Sequence, residues 1–90
     1  MAVPALLDHT DYWVDAAPFR AQLRYLMAST SLSADEVAQA AGISRRLAGR
    51  LLYGRNGRAL RRVSRDTGSR LLRVSVDQLR RRRLRDKAAA

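Results

Sequence analysis

The sequence predicts an all-α protein, a compact bundle of four to five short helices, and three observations lead to this prediction. Apolar residues recur every three or four positions along most of the chain after residue 15. A serine or an aspartate precedes each periodic segment, where its side chain can accept hydrogen bonds from the first helical turn. No segment shows a convincing strand pattern. A length of 90 residues fits one small domain with one core.

Residues 1–15 are predicted to form an arm, because Pro4 and scattered acids leave them without a helical period. Tyr12 and Trp13 are expected to pack on the body of the protein, with a dimer contact as the second interpretation. Stacking on nucleic acid is the least favoured, since the neighbouring acids would repel phosphate. His9 is expected to be exposed.

The first helix is predicted over residues 16–30. Asp15 can cap it, and Pro18 is tolerated in a first turn, where the backbone amides have no acceptor within the helix. Its apolar face is formed by residues at spacings of three and four, namely Phe19, Leu23, Leu26, Met27 and Thr30. This face predicts packing against the core.

The second and third helices are predicted on either side of a glycine turn. Ser33 and Glu36 have the spacing of a capping box, in which each side chain accepts a bond from the other residue's amide. Gly42 allows the positive φ with which helices often end, and Ser44 can cap the next helix. The expected ranges are 34–40 and 45–53.

Two further helices follow a flexible, arginine-rich loop around Asn56-Gly57. Ser64 opens the fourth helix, and Ser75 with Gln78 repeats the capping spacing before the fifth. The expected ranges are 65–74 and 76–86. The fifth helix has only Val76, Leu79 and Leu84 to bury, so its outer turns are expected to fray. The core predicted for the other helices and for the first together comprises Phe19, Leu23, Leu26, Met27, Val37, Ile43, Leu51, Leu52, Leu71 and Leu72.

The composition argues against several kinds of chemistry. The chain has no cysteine and one histidine, so it offers no disulfide, no thiolate or paired-histidine metal site and no Ser-His-Asp triad. Asp35 and Glu36 are adjacent acids, but the capping box already explains them. No apolar run approaches the roughly 18 residues of a membrane span. We therefore expect a soluble cytoplasmic protein that is not an enzyme, has no cofactor or metal and does not bind membranes.

The net charge of +10 is concentrated in the second half of the chain. Residues 1–44 carry two arginines and five acids, a net charge of −3, whereas residues 45–90 carry 16 positive residues and three acids, a net charge of +13. Such asymmetry indicates a polyanionic partner, and DNA is the first candidate because its phosphates form a dense lattice of charge. A solvated basic surface is the alternative.

The segment Ala34–Tyr53, ADEVAQAAGISRRLAGRLLY, resembles the helix-turn-helix of lambda-repressor-like and LacI-type DNA-binding domains. The positions that agree are Val37, Ala38, Gly42, Ile43 and Leu51. They supply apolar contacts, a small residue where the helices cross and a glycine turn. The resemblance covers about residues 16–79, is closest to small actinobacterial and actinophage proteins of this type, and leaves residues 80–90 as a basic helix end or tail.

Three positions depart from the family pattern. Ala48 stands where the family usually buries valine or isoleucine, and Leu47 stands where it often has a small polar residue. Leu47 can offer apolar contact, for example to a thymine methyl. Gly49 lies inside the recognition helix, and we expect it to reflect crowding against the first helix or drift, rather than a closer approach to DNA.

The resemblance implies that the helix over residues 45–53 enters the major groove of double-stranded DNA, with Arg45, Arg46 and Arg50 reading bases. Arginine presents two parallel donors that match guanine O6 and N7. The alternatives are a solvated surface for Arg45 and Arg46, and an ion pair with an acid such as Asp66 for Arg50.

Phosphate contacts are predicted from the helix cap and from the loop, where backbone amides stand beside guanidinium groups. The residues concerned are Ser44, Arg55, Asn56, Arg58, Arg61 and Arg62. Ser44 acting only as a cap, and a merely exposed loop, are the alternatives. The predicted basic tail comprises Arg80, Arg81, Arg82, Arg83 and Arg85.

The sequence thus predicts a small transcription regulator or nucleoid-associated factor that binds double-stranded DNA. Only 11 residues follow Leu79, so no small-molecule effector domain is expected. Specificity would then come from a homodimer formed through the arm or the fifth helix, from cooperative binding, or from one half-site with electrostatics. Low-specificity chromosome binding is one alternative. A protein-interaction module whose basic helices grip an acidic partner is the other.

Overall fold

The computed structural model describes residues 13–89, with side chains described as far as Arg85. In chain order the elements are β1 (Trp13–Asp15), α1 (Ala17–Thr30), α2 (Ala34–Ala41), α3 (Arg45–Tyr53), β2 (Arg62–Ser64), α4 (Arg65–Arg73) and α5 (Val76–Ala89). The five helices form a compact bundle, so the predicted fold class is confirmed. Their bounds follow the predictions closely, although α5 continues to Ala89. Tyr12, which is predicted to pack on the body, and His9, which is predicted to be exposed, lie outside the described residues.

The helix starts follow from local hydrogen bonds that the sequence predicts. Ser33 Oγ accepts from the Glu36 amide at 3.2 Å, and Glu36 Oε1 accepts from the Ser33 amide at 3.1 Å, which confirms the capping box. The other confirmed caps are Ser44 to the Leu47 amide, Ser64 to the Thr67 amide, and the reciprocal Ser75–Gln78 pair. At α1, the carboxylate of Asp15 accepts from the Ala17 amide at 3.1 Å.

The core lies where α1 crosses α2, α3, α4 and α5. Its fully buried side chains include Leu23, Leu26, Val37, Ala38, Ala48, Leu51, Val63, Leu71 and Leu79. Phe19, Met27 and Ile43 pack against this cluster from half-buried positions. Burial of these apolar groups is the main stabilising contribution to the bundle.

Two predicted core residues are in fact exposed. Leu72 is 63% exposed because it follows Leu71, and neighbours on a helix point about 100° apart, so only one of them faces the core. Leu84 is 66% exposed because it lies about 140° around α5 from Leu79, which makes the core contact. Both leucines are left as apolar patches on the surface.

The sequence predicts no strand, and this prediction is wrong for two three-residue segments. β1 and β2 pair antiparallel, with Trp13 opposite Ser64 and Asp15 opposite Arg62. Val63 in the centre of β2 is buried. Trp13 is 55% exposed, so the indole is not packed into the core as expected. Segments this short carry no readable alternation, because a period of two needs at least four residues.

Two glycines inside helices have opposite surroundings. A Cβ atom on Gly68 would lie 2.6 Å from the ring of Phe19, so glycine in α4 allows that ring to pack close. A Cβ atom on Gly49 would meet no atom within 4 Å. The crowding expected at Gly49 is therefore wrong, and α3 simply has a smooth outer surface at this position.

Replacing Ala38 with leucine is expected to lower the free energy of unfolding by about 1–3 kcal/mol, because extra methylenes would have no space. Ala38 is fully buried in α2, and α2 packs on α3. Chemical denaturation of Ala38→Leu against wild type measures the change. Ala21→Leu, at an exposed position of α1, is the matched control and should change stability by no more than about 0.5 kcal/mol. Equal stability of the two variants would contradict close packing of α2 on α3.

Candidate nucleic-acid interface

Helices α2 and α3 are joined by three residues, 42–44, and form a fixed pair. Gly42 ends α2 with φ of 77°, and the Ile43 amide donates to the Ala38 carbonyl at 3.0 Å. Ala48 and Leu51 are buried on the inner side of α3. This packing fixes which side of α3 faces solvent.

The outer face of α3 carries the three arginines that are predicted to read bases. At 100° per residue, Arg45, Arg46 and Arg50 lie within one arc of about 140°. Gly49 and Tyr53 lie in the same arc, and Tyr53 is 77% exposed. Tyr53 is not among the residues predicted from the sequence, although its position one turn after Gly49 is a usable signal. The arc is therefore a basic surface that includes an aromatic residue at the C-terminal end of α3.

One weak ion pair touches this arc, and a second lies on α4. Arg45 Nη1 lies 3.6 Å from Asp35 Oδ2, and both side chains are mostly exposed, so the pair contributes little stability and opens at little cost. Asp66 pairs with Arg70 at 2.8 Å and not with Arg50, so the alternative partner suggested for Arg50 is wrong. Asp66 and Arg70 are four residues apart on α4, which places them side by side.

The loop after α3 is a tight turn, which corrects the prediction of a flexible backbone. The Arg55 amide donates to the Arg58 carbonyl at 2.8 Å, and the Arg58 amide donates back to the Arg55 carbonyl at 2.9 Å. Asn56 and Gly57 both have positive φ, 51° and 75°, as an Asn-Gly hairpin turn of type I′ requires. We call residues 55–58 the arginine turn.

A small pocket of about 200 Å³ lies between α3 and the arginine turn. Its lining includes Arg50, Arg55, Arg58 and Arg61. The structure therefore brings one predicted base-reading residue together with three predicted phosphate contacts. Arg62 lies apart, in β2, where it lines a broad surface depression with Trp13. We call the outer arc of α3 together with the arginine turn the basic face.

Two arginines that the sequence analysis left unassigned hold the end of α3. Arg20 donates from Nε to the Leu51 carbonyl at 2.6 Å and from Nη2 to the Leu60 carbonyl at 2.6 Å. Arg24 donates to the Leu52 carbonyl at 3.5 Å. These bonds fix α1 to the last turn of α3 and to the segment that follows the arginine turn. Their spacing of four along α1 indicates that they share one face of the helix, but the sequence does not show which groups they bond.

The predicted basic tail is folded as part of α5, and two of its arginines make internal bonds. Arg80 donates to the Ser29 carbonyl at 3.2 Å, and Arg83 donates to the Thr30 carbonyl at 2.7 Å. Both acceptors lie in the last turn of α1, where carbonyls lack partners within the helix. Arg81, Arg82 and Arg85 instead line a groove beside α5.

Within the described part of the chain, no three histidine, cysteine or acidic side chains gather in a way that would hold a metal ion. Across residues 13–89, no helix combines the length and the apolar character needed to cross a bilayer. Comparison with protein-family models, with curated proteins and with solved structures found no match for this chain.

Proposed function

We propose that the protein binds double-stranded DNA, with α3 in the major groove and the arginine turn on the phosphate backbone. One observation carries the proposal: the outer arc of α3 and the arginine turn form one continuous basic face. The pair α2–α3 then acts as a helix-turn-helix, in which the buried small residues let α3 project from the body. The major groove of DNA is wide enough for one helix. With α3 in that groove, the arginine turn would lie on the phosphate backbone at its edge.

Base reading is assigned to Arg45 and Arg46 near the start of α3. Both side chains are exposed, and the pair of Arg45 with Asp35 is weak enough to be replaced by guanine. Gly49 adds no bulk between them and Arg50, so the helix can approach the base edges closely. Arg50 lines the pocket beside the arginine turn and is positioned to contact either a base or a phosphate.

Phosphate contacts are assigned to Ser44 and to the arginine turn. Ser44 Oγ accepts from the Leu47 amide, which leaves its hydroxyl proton free to donate to a phosphate oxygen. Arg55, Asn56 and Arg58 project from a turn whose backbone is fixed by two hydrogen bonds, so little order has to be gained on binding. Arg61 lines the same pocket as the arginine turn and extends this contact, while Arg62, which lies apart in β2, makes a separate phosphate contact. The protein would act as a small regulator of transcription or as a nucleoid-associated factor in the cytoplasm.

Replacing Arg46 with alanine is expected to relax the sequence preference at one base pair by about 1–3 kcal/mol without affecting the fold. The wild-type protein is first used to select bound fragments from a random duplex pool, and the enriched sequence is then titrated with both proteins. Arg73→Ala, an exposed arginine on α4 away from the basic face, is the matched control and should leave the preference unchanged.

Two outcomes would contradict these assignments. An equal loss of affinity on every sequence would make Arg46 a phosphate contact. Failure of the wild-type protein to bind any duplex at moderate salt would refute the proposed function.

A further inference from the structure

A groove of about 590 Å³ runs along α5, at a site that the DNA-binding proposal does not use. Its apolar lining comes from Ala40 of α2, Val74 after α4, and Leu79 and Leu84 of α5. Arg81, Arg82 and Arg85 stand along the same groove. We call this feature the α5 groove.

The α5 groove is held in its present form by the rest of the fold. Leu79 anchors α5 in the core, and Arg80 and Arg83 bond the last carbonyls of α1. Because these two arginines make internal contacts, the side chains that line the groove are the ones left to meet a partner. Leu84, in contrast, is 66% exposed, although burial is the favourable state for so large an apolar group.

The groove combines an apolar floor with a positive rim. Among the described residues that line it, none is acidic. A ligand that matches both features needs apolar side chains on one side and carboxylates beside them. An amphipathic helix with leucine-like residues at spacings of three and four, flanked by acids, provides that pattern.

We propose that the α5 groove docks an acidic amphipathic helix of a partner protein. Its apolar side chains pack on the exposed Leu84 and the partly buried Ala40, and its carboxylates pair with Arg81, Arg82 and Arg85. Desolvation of the apolar contacts strengthens the surrounding ion pairs, while the charges set the orientation of the bound helix.

Two other occupants fit the groove less well. A second copy docking through the same face would bring two sets of these arginines together, and like charges oppose that contact. DNA phosphates would satisfy the arginines but would leave the exposed Leu84 without an apolar partner. The groove shares no lining residue with the basic face, so its occupancy is separable from the proposed DNA binding.

The probe for this proposal is a synthetic, fluorescein-labelled helical peptide with leucines at positions i, i+3, i+4 and i+7 and glutamates elsewhere. A second peptide carries the same glutamates but has alanine in place of each leucine. Fluorescence anisotropy with the full chain is expected to give binding of the leucine peptide that is roughly tenfold tighter or more. Added salt should weaken the binding of both peptides.

Matched variants of the protein test the location of the site. Leu84→Ser should weaken binding of the leucine peptide roughly fivefold. Leu72 is about as exposed but lies on α4 outside the groove, so Leu72→Ser should leave this binding unchanged. Arg85→Glu should weaken binding more than Arg73→Glu, which makes the same charge change on α4. Far-UV circular dichroism confirms that each variant is folded.

Any one of five results would overturn the proposal. The leucine peptide would fail to bind, or the two peptides would bind equally. Leu84→Ser and Leu72→Ser would have the same effect. Random-sequence duplex would compete with the peptide and lose affinity in Leu84→Ser, which would assign the groove to DNA. Sedimentation would show a dimer that Leu84→Ser dissociates, which would assign it to a second copy.

Discussion

Replacing Gly54 with alanine is expected to lower the free energy of unfolding by about 3 kcal/mol or more. Gly54 ends α3 with φ of 73° and ψ of −161°, a backbone conformation that residues with a side chain avoid at a cost of about 1–3 kcal/mol. The added Cβ atom would also clash with the Arg58 carbonyl oxygen, so the backbone itself would have to move. Small domains have only about 5–15 kcal/mol of stability in total.

Denaturant titration of Gly54→Ala, monitored by circular dichroism, measures this loss. Gly49→Ala is the matched control, since that position is helical and a Cβ atom there meets open space. The control should be as stable as wild type or gain up to about 1 kcal/mol, because alanine is the better helix former. If Gly54→Ala were as stable as Gly49→Ala, the described path of the chain between α3 and the arginine turn would be incorrect.

Replacing Arg55, Arg58 and Arg61 together with alanine is expected to weaken duplex binding on the order of 10²-fold at about 0.15 M salt. Each lost phosphate contact removes about 0.9 from the slope of log affinity against log salt, so the slope should fall by about 2.7. The ratio between selected and random duplexes should survive, because phosphates carry no base identity. Fluorescence titration across a salt series with both duplexes gives all three quantities.

The control for charge is the triple variant Arg65→Ala, Arg70→Ala and Arg73→Ala, which removes the same three charges from α4. It should reduce the slope by much less than 2.7, since only long-range attraction is lost. Equal slopes for the two triple variants would mean that the arginine turn makes no specific phosphate contact. A loss of affinity for the selected duplex alone would instead indicate that these arginines contact bases.

Local signals explain why the helices were predictable. Each cap joins residues three apart, so Ser33 with Glu36 and Ser75 with Gln78 are visible in the sequence as short patterns. The strands were not predictable in this way, because Val14 pairs with Val63 and nothing local links them. The exposure of Leu72 follows from which side of α4 meets α1, and that is decided by tertiary packing.

The arginines show the same division between local and distant information. The Asn-Gly pair at residues 56–57 was a strong hairpin signal, so the tight form of the arginine turn was available from the sequence. The internal bonds of Arg20 and Arg83 were not, because their acceptors lie 31 and 53 residues away. The composition does not distinguish one arginine from another. In the folded protein, some arginines make internal hydrogen bonds and others are exposed at the surface.

The bonds from Arg20 and Arg24 to the last carbonyls of α3 also shape the electric field of that helix. The aligned peptide groups of a helix act as a dipole with partial positive charge at the start and partial negative charge at the end. Here the negative end is neutralised from within by two guanidinium groups, while the positive end, at Ser44 and Arg45, faces solvent. Helix α3 therefore leaves the positive end of its dipole open to anions, and part of that attraction would persist even without its arginine side chains.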